Sequence, residues 1–184
     1  MSVFASLAAE LGVSERSLRR AASRGTIRAQ RLSPRRSELS FLERHYVETH
    51  WELLSKLLSL LRTRPNVRLA VVFGSVARGD DRPGSDVDLL VSFAREEAPT
   101  AASLAASLTE EMGRRVQVVS VATVRRTPLL LVDILRDGRV LVDRDDEWPA
   151  LTRDERAIRR KAAVAEADLD RGMAELAELV GGQP

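Results

Sequence analysis

The stretch VVFGSVARGDDRPGSDVDLLVSF, residues 71–93, constrains the fold of this chain more than any other part of the sequence. An apolar run leads into Gly-Ser, a loop of charged and turn-forming residues follows, and a second apolar run contains Asp86 and Asp88. Apolar runs bounded by turn residues are typical of buried strands. Because residues i and i+2 of a strand lie on one face, we expect the two aspartates side by side, with Cα atoms about 6 to 7 Å apart.

Two adjacent carboxylates repel each other unless a cation lies between them. Carboxylate oxygens suit Mg²⁺, which keeps its other positions for water and phosphate oxygens. Upstream, Gly74-Ser75 follows the first predicted strand and precedes a short helical stretch, where backbone amides and a hydroxyl can contact a phosphate. The pattern therefore predicts that a magnesium-bound nucleotide lies between Gly74-Ser75 and the aspartate pair.

The spacing of Gly74-Ser75, ten further residues and then Asp86-Val87-Asp88 resembles the GSx10DxD signature of the minimal nucleotidyltransferases in the DNA polymerase β superfamily. The likeness extends over about residues 66–145 and implies an α/β (α+β) fold, a small mixed sheet flanked by helices. It also implies transfer of a nucleotide from a nucleoside triphosphate, expected to be ATP, to a protein or RNA hydroxyl. Asp86 and Asp88 would be the catalytic and Mg²⁺-binding residues. The expected nucleotide-binding residues are Gly74, Ser75, Arg78, Arg82 and Ser85.

The strand RRVQVVSV departs from the pattern of that family, which usually carries a third acid there. Gln117 occupies the corresponding position, and glutamine can neither act as a base nor add negative charge. Other acids, Glu110, Glu111 and Asp133, lie on predicted helices. We expect Gln117 to lie beside the two aspartates at an open edge of the sheet. We also expect nucleotide binding to survive and transfer to be weak or absent.

The N-terminal 36 residues contain eight arginines and only two acids, which gives a net charge of +6, against +2 for the whole chain. A predicted helix over 4–11, a turn at Gly12 and a second helix after Ser14 resemble the helix-turn-helix of bacterial DNA-binding regulators. The predicted DNA-binding residues are Arg16, Ser17, Arg19, Arg20 and Arg24. RGTIRAQRLSPRR would form a small wing or a basic arm, and the alternative is a helical hairpin with a solvated basic face.

Four segments are expected: a helix-turn-helix module (1–38), a connecting helix (39–64), the nucleotidyltransferase domain (65–147) and a C-terminal helix (148–184). The connecting helix carries a predicted apolar stripe of Phe41, Trp51, Leu54, Leu57, Leu58 and Leu61. The C-terminal helix has apolar residues at helical spacing: Leu151, Ile158, Ala162, Ala165, Leu169, Met173 and Leu176. His45 and His50 are interpreted as surface or packing residues.

The sequence leaves two functions open. The first is an antitoxin-like nucleotidyltransferase that modifies a cognate toxin protein and represses its own operon by binding double-stranded DNA. The second is a DNA-binding regulator whose inactive nucleotidyltransferase domain senses a nucleotide or forms an interaction surface, with a homodimer as a further option. The chain has no cysteine, which excludes disulfides and cysteine-ligated metals. With no signal peptide and no spanning run in the sequence, a cytoplasmic protein without membrane contact is expected.

Overall fold

The computed structural model describes residues 2–33, 36–95 and 100–181. The helices are α1 (Val3–Leu11), α2 (Glu15–Arg24), α3 (Phe41–Arg62), α4 (Gly74–Arg78), α5 (Thr100–Met112), α6 (Val121–Val124), α7 (Pro128–Asp137), α8 (Glu147–Arg153) and α9 (Glu155–Gly181). The strands are β1 (Gln30–Ser33), β2 (Arg36–Glu38), β3 (Val67–Phe73), β4 (Val87–Phe93), β5 (Val116–Ser120) and β6 (Arg139–Asp143). Within the described ranges, no helix is long and apolar enough to cross a membrane.

The main sheet has four strands in the order β5-β4-β3-β6. β3 pairs antiparallel with both β4 and β6, whereas β4 and β5 are parallel and are connected through α5. A parallel pair needs such a crossover because its strands run in the same direction. The small mixed sheet flanked by helices is the fold that the sequence predicted.

Both faces of the sheet are covered, so its strands are apolar along most of their length. Val72 and Leu89 pack with Leu54 and Leu57 of α3 and with Leu108 of α5. On the opposite face, alternate residues pack against α6, α7 and α8; this second cluster includes Leu69, Val71, Leu90, Val124, Leu131, Ile134 and Leu151. The two-residue periodicity of β3 and β4 thus separates the two layers.

The N-terminal segment packs directly on the sheet. Leu7, Leu18 and Ile27 belong to the same buried cluster as α3 and one face of the sheet. Thr26 Oγ1 donates to the carbonyl oxygen of Val140 at 2.5 Å. The core is therefore continuous across this part of the chain, and the predicted limit of a separate module near residue 38 stays a prediction.

A buried ion pair joins α3 to the edge strand β6. Arg139 donates from Nη1 and Nη2 to the two carboxylate oxygens of Glu43, at 2.6 and 3.0 Å, and both residues are buried. The Arg139 guanidinium lies 3.4 Å from the ring centre of Tyr46 and also donates to the carbonyl oxygens of Ala77 and Thr26. One side chain thus holds α3, α4, β6 and the N-terminal segment together.

Two expectations about helices are wrong in detail. Phe41, expected in the apolar stripe of α3, is 82% exposed, because at 100° per residue it lies about half a turn from buried Glu43. The C-terminal segment is two helices rather than one, and they meet at Asp154, whose backbone N–H donates to the carbonyl oxygen of Leu151. Ala162, in the first part of α9, is buried, whereas Leu169, Met173 and Leu176 farther along the helix are exposed.

Candidate nucleotide site and DNA-binding surface

The two aspartates lie at the start of β4, next to the edge strand β5. Asp88 lies opposite Phe73 of β3 and opposite Gln117 of β5. Gln117 Nε2 donates to Asp86 Oδ2 at 2.5 Å, and Arg115 Nε lies 3.5 Å from the same oxygen. The expectation that Asp86, Asp88 and Gln117 come together at an edge of the sheet is therefore confirmed.

Asp88 is in an environment that disfavours its negative charge. Partial burial and the neighbouring charge of Asp86 raise the pKa of Asp88, and the positive charge of Arg78 opposes this rise only in part. The carboxylate of Asp88 accepts no hydrogen bond from any residue that the structure describes. A half-buried carboxylate with a like-charged neighbour and no donor is a favourable position for a cation.

Gly74 allows the turn after β3 to approach this carboxylate closely. Its φ of 71° lies in the left-handed region, which costs other residues about 1 to 2 kcal/mol. A Cβ atom at this position would lie 2.5 Å from Asp88 Oδ2. Only glycine therefore brings the backbone, with Ser75 following it, so close to the acid pair.

The donor set fits one Mg²⁺ better than two. Asp86 and Asp88 supply two carboxylates, and no group of three or more His, Cys, Asp or Glu side chains suited to a metal occurs among the described residues. Of the other acids considered above, Glu111 pairs with Arg64 and Asp133 with Arg136, and Glu110 lies on α5. The amide of Gln117 stands beside the pair instead.

The predicted phosphate-binding residues differ in what they contact. Arg78, 41% exposed, donates from Nε to Asp80 Oδ2 at 3.0 Å, and its charge also acts on Asp88. Ser85 Oγ accepts from the backbone N–H of Arg82 at 2.9 Å, so this hydroxyl shapes the loop before β4. The side chain of Arg82 lines a neighbouring groove of about 560 Å³.

A polar network that sequence reasoning missed fixes this loop. His50 Nε2 lies 2.8 Å from Asp81 Oδ1, and Arg114 donates to Asp81 Oδ2 at 2.8 Å and to the Ser85 carbonyl oxygen at 2.6 Å. Burial raises the pKa of Asp81, but the hydrogen bonds from Arg114 and His50 outweigh it and leave that pKa lowered. The partners are 29 to 33 residues apart in sequence, so no local pattern could have indicated them.

The predicted DNA-binding helix α2 is present and is capped as expected. Ser14 Oγ accepts from the backbone N–H of Ser17, and Leu18 is buried against the core. Four of the predicted DNA-contacting residues are exposed on α2: Arg16, Ser17, Arg19 and Arg20. The fifth, Arg24, is half-buried. Arg19 forms an ion pair with Glu15 at 2.6 Å. The segment predicted to form a wing or a basic arm contains β1 and β2, which pair antiparallel, and Pro34 and Arg35 between them lie outside the described residues.

Comparison with solved structures identifies proteins of the same fold. A chain from a toxin-antitoxin with AMP-PNP aligns with a TM-score of 0.56 and 22% identity, covering 65% of this chain and 98% of its own. A second match is a chain from the structure of a tri-AMPylated Shewanella oneidensis HEPN toxin in complex with MNT antitoxin. It aligns with a TM-score of 0.53 and 20% identity, and the alignment covers 68% of the present chain and 99% of the matched chain. A chain from the toxin-antitoxin MntA-HepT aligns with a TM-score of 0.52 and 20% identity. This alignment covers 67% of the present chain and 98% of the MntA-HepT chain.

No curated protein matches the sequence. The family model described as polymerase beta, nucleotidyltransferase matches residues 55–147, which is half of the chain and includes β3, α4, β4, β5 and β6. Together with the acid pair at the start of β4 and the glycine turn that faces it, this match shows that the chain belongs to the polymerase beta nucleotidyltransferase family.

Proposed function

We propose that this protein is an antitoxin-like nucleotidyltransferase that binds Mg-ATP and transfers its nucleotide slowly to a hydroxyl of a cognate toxin protein. The observation that carries the proposal is the approach of Gly74 to the unpartnered carboxylate of Asp88. A backbone that can approach a phosphate and a carboxylate pair that can hold Mg²⁺ lie in contact there.

In the proposed reaction the acceptor hydroxyl oxygen bonds to the α-phosphorus, the bond between that phosphorus and the bridging oxygen breaks, and pyrophosphate leaves. Asp86 and Asp88 would hold Mg²⁺, which supplies charge stabilisation of the phosphoryl oxygens when bound. Ser75 and Arg78 would contact the β and γ phosphates, where Arg78 offsets negative charge. The acceptor proton passes to water, because Gln117 cannot accept it.

Gln117 is the reason to expect slow transfer. Its amide donates to Asp86, where a carboxylate would instead add charge for a second metal ion and take a proton. Loss of a positioned base typically lowers a rate by about 10² to 10⁴-fold. Binding of Mg-ATP depends on the two aspartates and should persist.

The toxin partner is proposed from the solved structures of similar fold. They include a toxin-antitoxin with AMP-PNP and a tri-AMPylated HEPN toxin in complex with MNT antitoxin. Transfer of AMP to a toxin by this chain would be the corresponding activity. The support is similarity of fold together with the acid pair Asp86–Asp88, and the acceptor in our proposal is a protein hydroxyl.

Calorimetric titration of Mg-ATP into the purified protein tests the proposal. We expect saturable binding that is lost when EDTA replaces Mg²⁺ and lost in Asp88→Asn. Asp133→Asn is the matched control, because that acid pairs with Arg136 on α7 and should leave binding intact. If wild type and Asp88→Asn bind Mg-ATP equally well, the nucleotide site does not include Asp88.

A second function, DNA binding for transcription regulation, is favoured by the arginines exposed along α2. Arg16 and Arg20 have no carboxylate partner among the described residues, which leaves both available to a polyanion. If transfer is absent, this function alone would make the protein a regulator with a nucleotide-sensing domain. The triple change of Arg16, Arg19 and Arg20 to alanine should weaken binding to duplex DNA and flatten its salt dependence. Unchanged binding would contradict the assignment of α2.

A further inference from the structure

The apolar stripe of α9 is covered in the first part of the helix and uncovered farther along. α9 packs against α7, and Ile158 contacts the second apolar cluster. At 100° per residue, Ile158, Leu169 and Leu176 lie within about 20° of one another around the helix. Leu169 and Leu176 are nevertheless 59% and 57% exposed, and Met173, on the same side, is 66% exposed. One continuous stripe is therefore left without a covering surface in its second part.

A glycine on this side of the helix has no role in the packing of its own chain. Glycine in a helix interior costs about 1 kcal/mol relative to alanine. A Cβ atom at Gly172 would meet no described atom within 4 Å, so no contact within the described residues requires glycine there. A residue without a side chain does allow another backbone to approach closely. Gly172 therefore fits a helix that packs against a second chain.

The charges of α9 are divided between its two halves. Residues 156–161 contain four basic residues and no acid, whereas residues 166–178 contain five acids and one arginine. Two copies of α9 side by side in the same direction would bring like charges together, and in opposite directions they bring the basic half of each beside the acidic half of the other. Near the middle, Asp168 pairs with Arg171 of its own helix at 3.4 Å, which limits repulsion there. The charge pattern favours antiparallel pairing.

The spacing of the stripe also suits two antiparallel copies. Its positions are separated by steps of four, three, four, three and four residues, which read the same in both directions: 158, 162, 165, 169, 172 and 176. If the two helices cross at the level of residue 167, Ile158 is level with Leu176 of the second copy, and Ala165 is level with Leu169. Small residues then face large ones, as close helix packing requires.

An apolar groove lies at the level that this arrangement gives to Leu176 of the second copy. The groove has a volume of about 330 Å³ and is lined by residues of α7 and of the first part of α9, among them Leu131 and Ile158. Two exposed basic residues, Arg125 and Lys161, also line it. An apolar side chain carried on an acidic helix matches both properties of this groove.

We propose that two copies of this chain form a dimer through antiparallel pairing of α9, in which the uncovered part of each helix packs on the first part of the other. A twofold axis makes the same surface serve both copies, so the interface is closed at two chains. α9 lies outside residues 55–147, which match the family model, and the inference does not depend on nucleotide or DNA binding.

Sedimentation of the full-length protein between about 1 and 100 μM tests the proposal, because dimerisation follows mass action. Wild type should change from monomer to dimer with rising concentration. Leu176→Glu should raise the dimer dissociation constant by about tenfold or more, since a buried leucine is replaced by a charge. Val164→Glu is the matched control: Val164 is 61% exposed on the same helix but lies about 120° around it from Leu176. Circular dichroism should show both variants folded, because both side chains are exposed in the single chain.

Disulfide cross-linking tests the direction of pairing, since the chain has no cysteine of its own. A mixture of Ala165→Cys and Leu169→Cys chains should cross-link faster than either variant alone, because these two positions are level only in the antiparallel dimer. Faster cross-linking of each variant with itself would overturn the antiparallel arrangement. A dimer that Leu176→Glu weakens no more than Val164→Glu would overturn the assignment of the surface. A monomeric wild type at the highest concentration would overturn the dimer and leave the stripe to a different protein.

Discussion

The ion pair Arg139–Glu43 and the acid pair Asp86–Asp88 differ in the sign of their charges, in their burial and in the partners that the protein provides. Arg139 and Glu43 have opposite charge and are 3% and 7% exposed, and each carries additional hydrogen bonds to the backbone. Asp86 and Asp88 have like charge and lie at an edge of the sheet. The exposed Arg115 lies 3.5 Å from Asp86 Oδ2, and Asp88 forms no ion pair with any described residue. A buried charge whose partners are all present is structural, whereas a charge pair that needs an outside partner indicates a binding site.

The largest expected effect is on the structural pair. Arg139→Met leaves the Glu43 carboxylate buried and uncompensated, so we expect the free energy of unfolding to fall by about 3 to 5 kcal/mol. Denaturant unfolding followed by circular dichroism measures the change. The double variant Glu43→Leu/Arg139→Met should recover much of the loss, because replacing both charges by apolar groups removes the uncompensated charge. A double variant as unstable as the single one would show that the backbone contacts of Arg139 dominate.

A smaller effect is expected where the turn meets the acid pair. Gly74→Ala places a Cβ atom against Asp88 Oδ2, and such overpacking costs about 1 to 3 kcal/mol. If the nucleotide binds here, its affinity should fall by about 10 to 100-fold, the measured quantity being the dissociation constant for Mg-ATP. Gly84→Ala, in the exposed loop where a Cβ atom would meet nothing within 4 Å, is the control for the backbone conformation alone. Equal losses in the two variants would assign the effect to loop strain.

Gln117→Asp should provide a third carboxylate beside the acid pair Asp86–Asp88. We expect a stronger dependence of nucleotide binding on Mg²⁺ and a gain of about tenfold in transfer or in slow ATP hydrolysis, part of the roughly 10² to 10⁴-fold that a positioned base contributes. Radiolabelled ATP provides the measurement, with Gln117→Glu and Gln117→Ala as companions. Brisk transfer by wild type that is unaffected by any of these changes would mean that another acid serves as the base.

The smallest expected effect is a gain in stability when Asp88 loses its charge. Its raised pKa means that ionisation weakens the native state, so this contribution to stability is present at low pH and lost as pH rises through that pKa. In EDTA, Asp88→Asn should therefore be more stable than wild type at about pH 7 by up to about 1 kcal/mol, with the difference vanishing near about pH 3. Thermal unfolding across that pH range measures it, and a loss of stability at neutral pH would show that Asp88 is satisfied in the native state.

Much of the fold and of the acid pair follows from the sequence alone, because both depend on short-range periodicity. The apolar runs of β3 and β4 predict buried strands, and the two-residue period of a strand places Asp86 and Asp88 on one face. The capping serines before α2 and α3 and the glycine after α1 mark helix ends in the same local way.

Only the tertiary structure decided which distant residues meet. Arg114 and Asp81 are 33 residues apart, Arg139 and Glu43 are 96 apart, and Thr26 and Val140 are 114 apart. Each contact requires strand order, crossover and helix docking to be set first, and periodicity within one segment carries no information about them. The sequence by itself determined which residues we propose to hold a magnesium-bound nucleotide. The packing of α3 and the N-terminal segment on β6 decided that Arg139 and Glu43 are paired, whereas the carboxylate of Asp88 on β4 has no hydrogen-bond donor among the described residues.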